Sequence, residues 1–224
     1  MRKTNTGLTA AACLAVSAFM GVTASAQSII YDNSSGPLGQ RTGEGNTEIG
    51  DQVQFAGTAR TVQQISFEYF VTPGGSGNET ATFFMYRIDS VTKLPSSLLY
   101  TSPTFNLVPA QAGGFGTATI NGISVDVPDQ IAWTVSFQGL EGTESAGLLF
   151  YNPPSVGSSP TFVDPQDGTV HDYFLRHNVS GWQVLDTPNL VDNLNVRFTA
   201  VPEPSTVALM LGGLLTMGVI RRRK

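Results

Sequence analysis

His171 and Asp172 stand side by side and could supply a general base next to an orienting carboxylate. Such a base needs a nucleophile, and no serine is singled out by spacing. The chain contains no G-x-S-x-G, H-E-x-x-H, G-x-x-x-x-G-K or C-x-x-C pattern. His177 is the other histidine, and both read as residues of a hydrated strand and turn. The expectation is a protein that is not an enzyme, with no catalytic residue assigned. Carboxylates are more plentiful. Glycoside hydrolysis needs two of them across a cleft, so a secreted carbohydrate-active enzyme using a carboxylate pair is the rival reading. Calcium takes roughly six to eight oxygens, mostly from loops. Glu141-Gly142-Thr143-Glu144 and Asp164-Pro165-Gln166-Asp167 offer such oxygens, although neither has the EF-hand pattern. Structural calcium at Glu141, Glu144, Asp164 and Asp167 is therefore the one cofactor expectation, against none at all. Sugar binding needs aromatic faces for stacking and polar groups that fix orientation. Trp182, which follows Gly181 at a strand start, and Tyr151 and Tyr173 at strand ends are the candidates for glycan contact.

The elements that would position these residues are strands. Residues 61–72 alternate, with Ile65, Phe67, Tyr69 and Val71 on one face and Ser66 and Glu68 on the other. Residues 131–140 alternate most cleanly, and Trp133 falls on the apolar face with Ile131, Val135 and Phe137. Residues 80–89 carry apolar side chains on both faces, as a central strand does. Asn121-Gly122, between two apolar runs, predicts a tight hairpin turn. Residues 169–176 and 182–185 are expected to pair, and residues 33–47 to form a polar, Gly-rich loop. Roughly eleven short strands, with no helical period between them, predict an all-β fold: a single antiparallel β-sandwich of jelly-roll type.

Composition narrows the partners. The chain has 12 basic and 17 acidic residues, a formal charge of −5. Six of the basic residues lie near the two ends. Residues 27–201 therefore keep six basic residues against 16 acids, a charge of −10. A surface of that sign repels phosphate backbones, which excludes nucleic acid as a partner. The single cysteine, Cys13, lies near the N-terminus, so residues 27–224 can form no disulfide.

Both ends read as addresses. Arg2 and Lys3, an apolar stretch over 8–22 and the small-x-small triplet Ala24-Ser25-Ala26 predict a signal helix cut by signal peptidase before Gln27. At the other end Pro202-Glu203-Pro204 precedes an apolar run over 207–220 and the basic cluster Arg221, Arg222, Arg223 and Lys224. As a helix the run spans about 21 Å, short of a hydrocarbon core of about 30 Å, and Gly212-Gly213 weakens it. That makes a short transmembrane helix, a poor permanent anchor but adequate as a transient one, whose basic end stays in the cytoplasm.

This three-part tail resembles the PEP-CTERM sorting signal of exported bacterial proteins. The strings Ile30-Tyr31-Asp32-Asn33, Glu48-Ile49-Gly50-Asp51 and Ala56-Gly57-Thr58-Ala59-Arg60-Thr61 also resemble the opening of PEP-CTERM passenger domains, which are jelly-roll-like and without agreed active-site residues. The resemblance implies a signal peptide over 1–26, a passenger sandwich over 27–200 and a sorting signal over 201–224. It implies an exosortase-type membrane protease or transpeptidase as partner and a transient inner-membrane intermediate. The mature protein would sit at the outer surface or outside the cell, associated with exopolysaccharide or biofilm.

Overall fold

The computed structural model describes residues 27–43, 45–73, 75–108, 114–163, 170–171, 174–178, 180–185 and 193–202. In chain order the strands are β1 (Ser28–Asp32), β2 (Pro37–Arg41), β3 (Glu48–Gln54), β4 (Thr61–Val71), β5 (Thr80–Ile88), β6 (Pro95–Thr101), β7 (Phe105–Asn106) and β8 (Phe115–Asp126). There follow β9 (Gln130–Gln138), β10 (Ala146–Tyr151), β11 (Phe162–Val163), β12 (Val170–His171), β13 (Phe174–Asn178), β14 (Gly181–Leu185) and β15 (Arg197–Val201). Among the described residues there is no helix, and every strand pair is antiparallel.

The long alternating strands organise two sheets. In the six-stranded sheet β4 is the spine. A strand has two edges, and β8 runs along one of them from Thr61 to Phe70. Strands β15, opposite Thr61 to Ser66, and β10, opposite Tyr69 to Val71, therefore share the other edge in series. Beyond them lie β1, paired with β15, and β2, paired with β10. The seven-stranded sheet runs β14-β13-β3-β9-β5-β6, with β7 also on β5. Strands β11 and β12 form a separate two-stranded ribbon.

The two sheets share one core, which makes the fold sandwich-like. Phe67 from one sheet stacks on Phe83 from the other at 5.8 Å, and Phe83 stacks on Trp133 at 5.9 Å. Trp133 is fully buried, as its place in the alternation requires. Phe198 of β15 packs edge-on to Phe55 at 5.2 Å and to Tyr31 at 6.4 Å. Burying such rings removes the largest apolar surfaces in the chain from water, the main favourable contribution to folding.

Two local expectations give way. Asn121-Gly122 makes no hairpin: both lie inside the 12-residue strand β8. The register against β4 shifts there, from Val62↔Val125 to Gln64↔Asn121, and Gly122 takes a φ of 73°. A bulge accommodates the left-handed residue while Ile123 stays buried, so pairing with the long β4 prevails over the local turn signal. Residues 37–41, expected in a loop, form the edge strand β2 on β10, with an irregular register and a fully exposed burial pattern. Proline and glycine are tolerated at such an edge. Of the strand expected over 169–176, the part from Phe174 pairs as expected, as β13 on β14 from Phe174↔Leu185 to Asn178↔Gly181, whereas Val170 and His171 pair with β11.

Candidate functional site

Because side chains alternate along a strand, each sheet has an outer face as well as a core face. The sequence candidates divide between the two outer faces.

On the seven-stranded sheet the register places Trp182, His177, Glu48, Ser136 and Thr82 in one row across five strands. Trp182 is half-buried, with its ring 4.7 Å from that of His177 and 5.6 Å, edge-on, from that of Tyr86. Tyr86 also stacks on Phe84 at 6.1 Å. Beneath this aromatic strip lie Ala132 and Leu175, both buried. Gly50 pairs with Leu175 and Thr134 in the neighbouring row, and a Cβ there would collide with the Trp133 carbonyl and the Thr134 backbone. The Tyr86 hydroxyl donates to Glu48 Oε1 at 2.9 Å and the Thr134 hydroxyl to the same oxygen at 2.5 Å. Burial first, and then the Glu48 charge, push the Tyr86 phenol well above its ordinary value, so it stays a donor. Aromatic faces, a fixed carboxylate and an exposed imidazole thus share one surface.

The outer side of the six-stranded sheet carries Tyr151 and Phe70, both buried, and Leu149 and Glu68, with Arg41 of β2 beside them. The Arg41 guanidinium carbon sits 3.1 Å above the Phe70 ring, a cation–π contact. Phe115 meets Phe70 edge-on at 5.7 Å. The Tyr151 hydroxyl donates to Glu68 Oε2 at 2.5 Å. Burial, then this bond, then the Glu68 charge push the Tyr151 phenol up to about 12. Two shallow depressions of about 240 and 280 Å³ lie here and share Phe115, Leu149 and Tyr151. Among the described residues Glu68 is the one carboxylate in their lining, so these residues pair no two carboxylates there.

Trp182 and Tyr151 are therefore on opposite faces and build no common site; Tyr173 lies outside the described residues. Sequence reading missed Arg41, Glu48, Glu68, Tyr86 and Phe115 as members of these surfaces. The signal for Glu68 was its outward place in an alternating strand, and for Tyr86 the apolar residues on both faces of 80–89.

Of the calcium candidates, Glu141 and Glu144 lie in one loop. The Ser76 and Glu141 N–H groups donate to Glu144 Oε1 and Oε2 at 2.5 and 2.8 Å, and the Ser76 hydroxyl to Oε2 at 3.3 Å. These donors, the Glu141 N–H foremost, hold the Glu144 carboxyl below its ordinary value. Glu144 thus clasps two loops, while Glu141 is exposed. Asp164 and Asp167 lie outside the described residues. Among the described residues no group of three His, Cys, Asp or Glu is placed to hold a metal. His171 is in β12, and Asp172 lies outside the described residues.

At the ends, Gln27 and Pro202 are exposed. Ala24, Ala26, Glu203, Pro204 and Arg221, Arg222, Arg223 and Lys224 lie outside the described residues, as does 207–220. No helix among the described residues is long and apolar enough to cross a membrane.

The fold defines the described body as an all-β protein of two antiparallel sheets. The family model of the PEP-CTERM protein-sorting motif matches residues 200–224. No curated protein and no solved structure matches the chain. The motif indicates an exported protein, handled by exosortase-type machinery through a membrane-anchored intermediate.

Proposed function

We propose that the chain is an exported, non-enzymatic surface or extracellular-matrix protein associated with exopolysaccharide. In this reading residues 1–26 are a signal helix removed by signal peptidase between Ala26 and Gln27. Residues 27–200 are a jelly-roll-like passenger. Residues 201–224 are a sorting signal, with Pro202, Glu203 and Pro204 as its motif and the 207–220 run as a short transmembrane helix stopped by Arg221, Arg222, Arg223 and Lys224. The body then stands outside the inner membrane until an exosortase-type protease releases it to the surface or beyond.

The observation that carries the reading is the junction between fold and motif. The match begins at Ala200, which is buried in β15, and the strand continues to Val201 opposite Thr61. Ser28 of β1 is opposite Ala200, so the residue after the proposed signal cleavage and the start of the motif leave the sandwich at one end. Termini at one end are compatible with a body that is tethered to one membrane while it is processed.

The aromatic strip at Trp182 supports contact with glycan, since it joins stacking surface to a fixed carboxylate. The rival, a hydrolase using two carboxylates, gains no support from depressions that hold one. The test has two arms. Loss of the host's exosortase-type protease should leave the protein in the inner membrane with its tail attached. Trp182→Ala should weaken retention on insoluble glycan, and unchanged retention removes the Trp182 face from the account.

A further inference from the structure

The outer face of the six-stranded sheet carries chemistry that the Trp182 face does not. Its two depressions adjoin through Phe115, Leu149 and Tyr151 and form one open groove along the sheet. A groove of that form suits a length of polymer better than an enclosed small molecule.

The groups along the groove are of two opposite kinds. Arg41 is exposed, and among the described residues no carboxylate or carbonyl engages its guanidinium, which rests on Phe70. A guanidinium only donates hydrogen bonds. Glu68 offers a carboxylate, which only accepts. One of its oxygens is fixed by the Tyr151 hydroxyl, and the other has no partner among the described residues. The Glu68 backbone N–H donates to Asn195 Oδ1 at 2.8 Å, and the Tyr151 carbonyl accepts from Asn33 Nδ2 at 2.9 Å, so both residues are anchored to the buried asparagines behind them. Phe115, half-buried, adds a ring surface.

A polyanion would meet Glu68 and a body of charge −10. A polycation, though drawn by that charge, would meet Arg41 in the groove itself. A sugar hydroxyl donates and accepts at once, so it can satisfy both groups while a sugar face covers Phe115. We propose that this face is a second glycan-binding site, formed by Arg41, Glu68 and Phe115, with buried Tyr151 holding the Glu68 carboxylate in place, for a neutral, hydroxyl-rich polysaccharide. The two sites lie on opposite outer faces, so one molecule bridges two glycan chains. The bridging rests on the glycan contact proposed for Trp182; the second site does not.

The test is affinity electrophoresis of the full chain through gels containing soluble β-glucan, galactomannan or dextran, with polygalacturonate as the anionic control. Arg41→Gln removes the positive charge and three of the five N–H donors from an exposed edge position. Thr117→Gln places a longer neutral side chain in the groove from an exposed position. Thermal melts confirm that each variant folds. Either change is expected to lower affinity for a neutral glycan roughly tenfold when Trp182→Ala is also present, the effect of losing one charge-assisted hydrogen bond or its access. Wild type is expected to raise light scattering on mixing with that glycan, and each single-face variant to bind without doing so. If Trp182→Ala abolishes retardation while Arg41→Gln and Thr117→Gln behave as wild type, the second site is overturned and the Trp182 reading stands. If Trp182→Ala leaves binding unchanged and Arg41→Gln abolishes it, the second site stands and the Trp182 reading fails. Retardation by polygalacturonate alone, or by no neutral glycan of the three, overturns the proposal.

Discussion

Cutting the chain just before β15 should unfold the body, whereas cutting just after it should not. Strand β15 is paired on both edges, with β1 and with β4, and among the described residues β1 otherwise makes only a bridge from Asp32 to Val156. Phe198 is fully buried against Tyr31, Phe55 and Phe83. Truncating one buried phenylalanine typically costs about 3–5 kcal/mol. A chain ending at residue 196 loses that ring, buried Ala200 and both ladders, and β1 keeps only its bridge from Asp32 to Val156. A domain of this size is stable by about 5–15 kcal/mol in all, so the loss consumes most or all of it. Urea unfolding followed by circular dichroism should give a cooperative transition for residues 27–202 and none for residues 27–196. A cooperative transition for the shorter chain within about 1 kcal/mol of the longer one would refute the claim that the fold extends to the edge of the sorting motif.

Three further outcomes follow from single features. The raised phenols of Tyr86 and Tyr151 make stability depend on pH on the alkaline side. Unfolded tyrosine ionises near 10.0 and folded Tyr151 near about 12, so its contribution is complete below pH 10 and is lost as pH rises from there to about 12. Melts across that window should fall less steeply for Tyr151→Phe. Glu144 already joins its two loops through N–H groups, so chelation with EDTA should leave the melting midpoint unchanged; a clear drop would favour a bound cation. Gly50→Ala should destabilise by roughly 1–3 kcal/mol, since its Cβ meets the backbone of β9, which cannot swing aside.

What the sequence disclosed follows from the range of each interaction. The alternation of residues 61–72 and 131–140 is local, so the inward places of Phe67 and Trp133 were readable from it. The bulge at Asn121-Gly122 was not, because β4 on the neighbouring edge decides between turn and strand there. Residues 37–41 have no strand signal of their own, and β10 gives them one. Tyr151 and Trp182 were readable as aromatic residues at strand ends, but nothing local assigns them to opposite faces. Arg41, Glu68 and Tyr151 come together only because β2 and β4 flank β10. Glu48 and Tyr86 meet across β9 for the same reason. The sorting tail was the most readable part, because its three pieces are contiguous and act by composition and length.

The most direct test of the account is the intact mass of the protein recovered from outside the cell. The mature protein should have its N-terminus at Gln27 and its C-terminus beyond Val201, at or near Pro204, with residues 207–220 gone. A mature chain that retains Arg221, Arg222, Arg223 and Lys224, or one cut within β15, would contradict it.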